Sequence, residues 1–183
     1  MTIPVGVSDR DRVMRVLCVG EPLARIHADI LVMGFFEDVR PLQGLTGQFD
    51  WLARGGLSRL IVGGRVSGRL KETILMALPT FATPRVMCIG LGKSTTYSYL
   101  VLHQVIESLR AAVQEMGVRT AAVEILGAHT RGIDAAIAAR TCVKAWYAAA
   151  AAEVDLTLVA PRGTQPRQLE QRLRDMGVEG APS

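Results

Sequence analysis

The sequence predicts an α/β domain in which helices layer against a mixed, mostly parallel sheet. Three observations carry that prediction. First, residues 29–36 and 85–89 are nearly continuous apolar runs, the pattern of strands buried on both faces. Second, Leu102, Val105, Ile106, Leu109, Ala112, Val113 and Met116 recur at helical spacing and draw one apolar stripe on a helix over residues 97–116. Third, strand-like and helix-like segments alternate through the second half of the chain, with turns of only a few residues between them.

Taken in order, residues 13–19 read as a first strand and residues 29–36 as a second. Residues 37–48 read as a loop, marked by Pro41, Gly44 and Gly47. Residues 50–62 carry Trp51, Leu52, Leu57, Leu60 and Ile61 and predict one helix, weakened by Gly55 and Gly56. The signals conflict over residues 63–78: three glycines argue for loop, and the periodicity of residues 72–78 favours helix. Residues 85–89 are a strand, and the helix over residues 97–116 closes on Gly117. A strand follows over residues 119–126, then an alanine-rich helix over residues 133–152 and a last strand over residues 154–160. Pro166 opens an amphipathic helix with Leu169, Leu173 and Met176 on one face, ended by Gly177.

A chain of 183 residues, 49% apolar and 21% charged, suffices for one domain with its own core. Aromatic residues make up only 5%, so aliphatic side chains and methionine must fill that core. The net charge of +4 comes from scattered arginines rather than a basic block, which argues against a nucleic-acid arm. Cys18, Cys88 and Cys142 lack metal-ligand spacing and read as small buried hydrophobes in a reducing compartment. The first residues lack the pattern of a signal peptide, and no apolar run reaches membrane-spanning length. A cytoplasmic protein with no membrane contact is the expectation.

One segment offers chemistry. Around residues 84–96, a strand runs into Gly90, Gly92, Lys93, Ser94 and Thr95 and then into the long helix, a scaffold able to hold an anion or a nucleotide-like group. A phosphate loop of the Walker type would place glycine where Met87 stands, and a dinucleotide fingerprint would place it where Thr95 stands. The competing reading is a tight turn in which glycine supplies backbone freedom and Ser94 or Thr95 caps the helix; that reading is favoured. Arg54, Arg59, Arg65, Arg69 and Lys71 either line an anion site or, the favoured reading, form a solvated face. His27, His103 and His129 share no ligand spacing and read as structural or surface histidines. No catalytic constellation and no metal or cofactor site emerges.

Several segments, in order, resemble the N-terminal domain of the leucine (cytosol) aminopeptidases. They are Asp29-Ile-Leu-Val-Met, Phe49-Asp-Trp-Leu, Gly56-Leu-Ser-Arg-Leu, Gly68-Arg-Leu-Lys-Glu-Thr, the strand and turn from Arg85 to Lys93, the long helix, and Ala121-Ala-Val-Glu-Ile-Leu. The resemblance spans residues 28–160, with residues 1–27 as a lead-in bearing the first strand and residues 161–183 as a C-terminal helix and tail. It implies a three-layer, macro-domain-like fold and a strand at residues 72–78. In that family the peptidase chemistry belongs to a separate metal-binding domain, whose Asn-Thr-Asp-Ala-Glu-Gly-Arg stretch does not occur in this sequence. The expected role is therefore a non-catalytic binding or regulatory module that self-associates. Two alternatives stay open: a macro-domain-like binder or processor of ADP-ribose or a related nucleotide, with Asp29 as a contact for an adenine-like group, and a DNA-binding regulator. The asparagine-rich strand end of macro domains has no counterpart here, since Gly34, Phe35 and Phe36 stand in its place.

Overall fold

The computed structural model describes residues 5–6, 13–14, 16–20, 22–77, 82–148 and 154–178. Six strands form one sheet: β3 (Val16–Val19), β4 (Ile30–Phe35), β5 (Thr73–Met76), β6 (Val86–Gly90), β7 (Thr120–Glu124) and β8 (Asp155–Val159). Two short strands, β1 (Val5–Gly6) and β2 (Val13–Met14), pair antiparallel apart from it. The order across the large sheet is β3-β8-β7-β4-β6-β5, parallel throughout except for β5 at one edge, which runs antiparallel to β6.

The continuous apolar runs are explained by burial on both faces. In β4, Ile30 and Val32 enter one core while Leu31, Met33 and Phe35 enter the other. In β6 the same division separates Met87 and Ile89 from Val86 and Cys88. The first core lies under α3 (Tyr99–Glu115), α4 (Ala135–Tyr147) and α5 (Pro166–Asp175). The second lies under α1 (Gly44–Leu52) and α2 (Gly56–Val62). The result is a three-layer α/β sandwich. Each fully buried leucine or isoleucine contributes about 1.5–3 kcal/mol relative to exposure, and the sheet presents such residues to both layers.

The long helix keeps its apolar stripe: Leu102, Val105, Ile106, Leu109 and Val113 are all buried, and Gly117 follows with φ of 62°. Its cap differs from the expectation. Ser98, not Ser94 or Thr95, accepts from the amide of Val101, because Ser94–Thr96 forms a separate 3-10 turn before the helix begins. The alanine-rich helix is capped by Asp134, whose carboxylate accepts from Ala136 and Ile137. Its small residues let it pack against α3 and α5 and enter the first core. The last part of the stretch expected to be helical, residues 149–152, lies outside the described residues, as does Leu78.

Two expectations on the other layer are corrected. The single helix over residues 50–62 is two helices, divided where Arg54 and Gly55 adopt positive φ of 53° and 75°. The first of them begins earlier than expected, at Gly44, inside the stretch read as loop. The segment around residues 73–76 is a strand, as the resemblance implied and against its helical periodicity. Pairing with β6 from Thr73↔Ile89 to Met76↔Val86 decides the matter, a tertiary gain that a local period does not register.

Candidate functional site

The chain leaves β4 toward α1 on one face and leaves β7 toward α4 on the other, although β4 and β7 are neighbours in the sheet. Such a reversal opens a crevice beyond the carboxyl ends of the strands, where open α/β sheets bind their ligands. Here the β4–β7 pairing ends at Val32↔Val123. Beyond it, the Glu124 side chain bridges the gap: Oε2 accepts from Gly34 N at 3.0 Å and Oε1 from Leu45 N at 3.3 Å. Thr46 Oγ1 donates to the carbonyl of Gly34 at 2.6 Å, tying α1 to the same strand end. Gly44, at φ of 62°, lies so close that a Cβ there would stand 3.1 Å from Glu124 Oε1 and 3.2 Å from His129 Nδ1. Glu124 and His129 thus flank one glycine at the floor of the crevice.

Desolvation acts on both groups, although Glu124 is sealed and His129 reaches the surface. Glu124 is 2% exposed, and desolvation pushes its carboxyl up to about 7 despite the two amides it accepts from. Desolvation lowers the pKa of His129, which favours a neutral imidazole.

Above the floor opens a cleft of about 410 Å³. Phe36, Tyr97 and His129 supply its rings, in a chain that has only four Phe, three Tyr and two Trp. Phe36 meets Tyr97 edge-on at 5.1 Å and His129 at 5.9 Å. Tyr97 is fixed by its hydroxyl, which donates to the carbonyl of Leu126 at 3.2 Å, and by Gly127, where any side chain would collide with the ring. The polar lining comes from Gln43, Ser94, Thr95, Thr130 and Arg131. Thr130 Oγ1 is buried without a hydrogen-bond partner. A ligand or a water that satisfies it would gain what the fold leaves unmade.

The predicted contact residues are divided by the structure. Ser94 and Thr95 line the cleft. The amides of the glycine turn are taken up within the protein: Gly90 N donates to Glu72 O at 2.7 Å, Leu91 N to Phe35 O at 2.9 Å and Gly92 N to Gly68 O at 2.9 Å. Ser94 N donates to Asp38 Oδ1 at 2.8 Å, and its hydroxyl donates to Oδ2 at 3.1 Å. A carboxylate of the chain itself therefore sits where an anion would, its pKa lowered chiefly by that amide and further by Lys93. Glycine is required at both positions of the turn. A Cβ at Gly90 would collide with the backbone of Arg69 and Gly68, and Gly92 has φ of 75°.

Asp29 lies at the opposite end of the sheet, just before β4, and so is not brought to the turn. Its Oδ2 accepts from Arg119 N at 2.7 Å and Thr120 N at 3.0 Å, which ties the start of β4 to the start of β7. Phe36, Asp38, Glu124, Thr130 and Arg131 were not singled out by the sequence. The one available signal was Glu124, the charged residue of β7. Cys18, Cys88 and Cys142 are buried and free, and burial raises each thiol. Among the described residues, no group of three or more His, Cys, Asp or Glu is arranged to hold a metal, and no helix is long and apolar enough to cross a membrane.

Residues 32–154 match the cytosol aminopeptidase family, N-terminal domain. A probable cytosol aminopeptidase of Nitrosomonas eutropha is 29% identical over 115 residues, which is 62% of this chain and 23% of that protein. The chain thus spans about a quarter of the length of that relative. A tomato leucine aminopeptidase structure superposes with a TM-score of 0.64 at 20% identity, covering 93% of this chain and 36% of the other. The Trypanosoma brucei macrodomain, solved in complex with ADP-ribose, superposes at 0.68 with 15% identity, covering 96% and 74%. The likeness to these two structures establishes a shared macrodomain-type fold, and the family match extends over two thirds of the sequence. By that match, this chain belongs to the cytosol aminopeptidase family through its N-terminal domain.

Proposed function

We propose that this chain is a non-catalytic binding module whose ligand site is the cleft at the β4–β7 switch point. The observation that carries the proposal is the convergence there of Phe36, Tyr97 and His129 with the unpartnered hydroxyl of Thr130. Rings and a few aimed polar groups are what a small planar ligand with a polar edge requires. The match to the family's N-terminal domain supports reading these residues as a binding module. Ser94 and Thr95 serve as wall contacts. Gly90, Gly92 and Lys93 act behind them, shaping the turn and offsetting the charge of Asp38. Asp29 holds the far end of the sheet.

A second reading, ADP-ribose or a related nucleotide as the ligand, is favoured by the Trypanosoma brucei macrodomain, whose fold this chain shares. A diphosphate entering the cleft would have to displace Asp38 from Ser94, so adenosine should compete well with ADP-ribose. Self-association and a cytoplasmic setting fit the family and complete the proposal.

Calorimetric titration with adenosine, ADP-ribose, free amino acids and divalent metals tests it. Binding of one of these that weakens about tenfold, or 1.4 kcal/mol, in Arg131→Ala is the expected result. Metal-dependent release of an amino acid from a peptide substrate by the purified chain would sink the non-catalytic reading. An empty titration panel would sink the choice of cleft.

A further inference from the structure

We propose that the outer face of α1 and α2 is a docking surface for an acidic polypeptide segment that carries an apolar side chain. This surface is separate from the cleft and stands independently of the cleft's ligand. Residues 51–71 contain Arg54, Arg59, Arg65, Arg69 and Lys71 and not one Asp or Glu. The acids at either end of that stretch are already engaged. Asp50 accepts from the amide and hydroxyl of Ser58 at 2.9 and 2.6 Å, and Glu72 Oε2 accepts from the amides of Ser67 and Gly68, both at 2.8 Å. The cations therefore stand without a carboxylate partner among the described residues.

Between the two helices runs a groove of about 530 Å³, lined by Pro41, Leu42, Trp51 and Gly55, with Arg54 on its wall and the Asp50 carboxylate, held by Ser58, beside it. The Arg59 guanidinium donates to the carbonyl of Arg54 and lies over Gly55, at the rim of the groove. Trp51, 84% exposed, lines the groove, and Val62, 90% exposed, ends α2. Trp51 follows Gly47 by four residues in α1, and Val62 follows Ser58 by four in α2, with Gly47 and Ser58 both lining the groove. An exposed tryptophan flanked by arginines is the composition of an interface anchor.

At the groove Arg54 and Arg59 outnumber the carboxylate of Asp50, which Ser58 already holds, and this balance selects an acidic occupant, while the apolar content selects polypeptide over nucleic acid. Single-stranded nucleic acid stacks successive bases on successive rings, whereas the groove offers one ring, Trp51, with Pro41 and Leu42 as its apolar neighbours. Aliphatic side chains pack against a leucine or phenylalanine of a peptide and gain nothing from a phosphate.

The test uses a synthetic peptide with Leu-Phe-Leu at its centre and glutamates on both sides. Trp51 is itself the reporter, since the other tryptophan, Trp146, is 1% exposed. Binding should shift the emission of Trp51 to the blue. Isothermal titration of the same peptide should show affinity about tenfold weaker in Trp51→Ser and in the double variant Arg54→Gln, Arg59→Gln. Leu100→Ser, an exposed change on α3, should leave it unaltered. All of these positions are exposed, and circular dichroism checks that each variant folds. The proposal is overturned by no binding, by equal binding of a peptide with serines at its centre, or by oligothymidylate binding more tightly than the acidic peptide.

Discussion

Asp29 and Glu124 do the same structural job at opposite ends of the β4–β7 pair, yet their titration moves in opposite directions. Each carboxylate accepts from two backbone amides and joins the two strands where the regular ladder stops. At the amino end, Asp29 remains in contact with water, and its hydrogen bonds to Arg119 and Thr120 lower its pKa. At the carboxyl end, Glu124 is sealed beneath Gly44 and α1, and desolvation outweighs its two amides and raises the pKa to about 7. Two backbone amides thus accompany opposite outcomes: Asp29 gains further from the Thr120 hydroxyl and Arg85, while exclusion of water is the largest influence on Glu124. The end where the carboxylate is sealed is also the end where the sheet opens into a cleft.

The sharpest break of that comparison is Glu124→Ala. It leaves the amides of Gly34 and Leu45 buried and unpaired and opens a void, which should cost about 3–5 kcal/mol in urea unfolding. A loss no greater than that of an exposed substitution would mean that water takes over the carboxylate's role.

A titration sharpens the comparison further. A carboxyl raised to about 7 in the folded state contributes stability that is full below the ordinary carboxylate range and is lost as pH rises through 7. The shift corresponds to on the order of 3 kcal/mol. His129 works against this trend, since its lowered pKa adds stability as pH rises toward the ordinary histidine value. The wild type should therefore be compared with Glu124→Gln rather than read alone. The difference in melting temperature between the two should change between pH 5 and pH 8, with the glutamine variant gaining on the wild type as pH rises. A constant difference would place the titrating proton elsewhere.

Asp29→Asn should have the smallest effect. One side-chain oxygen remains to accept from Arg119 or Thr120, and the site is solvated, so the loss should be about 1 kcal/mol or less at neutral pH. Its sign with pH is the reverse of Glu124. The stability Asp29 adds is present above the ordinary carboxylate range and is lost in acid, as pH falls through its depressed folded value. Unfolding of the two proteins should converge in acid, and persistent separation there would contradict the assignment.

How far the sequence was legible follows the two helical layers. The layer of α3, α4 and α5 could be read because helical periodicity, Gly117, Pro166 and Gly177 are local signals that act within a few residues. The layer of α1 and α2 was misdrawn because its elements depend on distant partners. Glu124, seventy-nine residues away in the chain, accepts from the second residue of α1. The edge strand β5 owes its form to β6 rather than to its own period.

The candidate site divides in the same way. The glycine turn was visible from composition, and Gly90 is indeed irreplaceable there, but the reason is the backbone of Arg69 pressed against it. That Asp38 would fill the turn's free amide from fifty-six residues away, or that Phe36, His129 and Thr130 would meet Ser94, depends on contacts between distant parts of the chain. By itself the sequence determined the layered α/β class, the family, the long helix and the absence of local metal-ligand spacing, since each rests on short-range periodicity or on residue order. The tertiary structure alone decided which carboxylate is sealed from water, where the sheet opens, and which polar atoms face the opening. Burial and charge are properties of neighbours in space, and the parallel crossovers of this sheet bring those neighbours from distant parts of the chain.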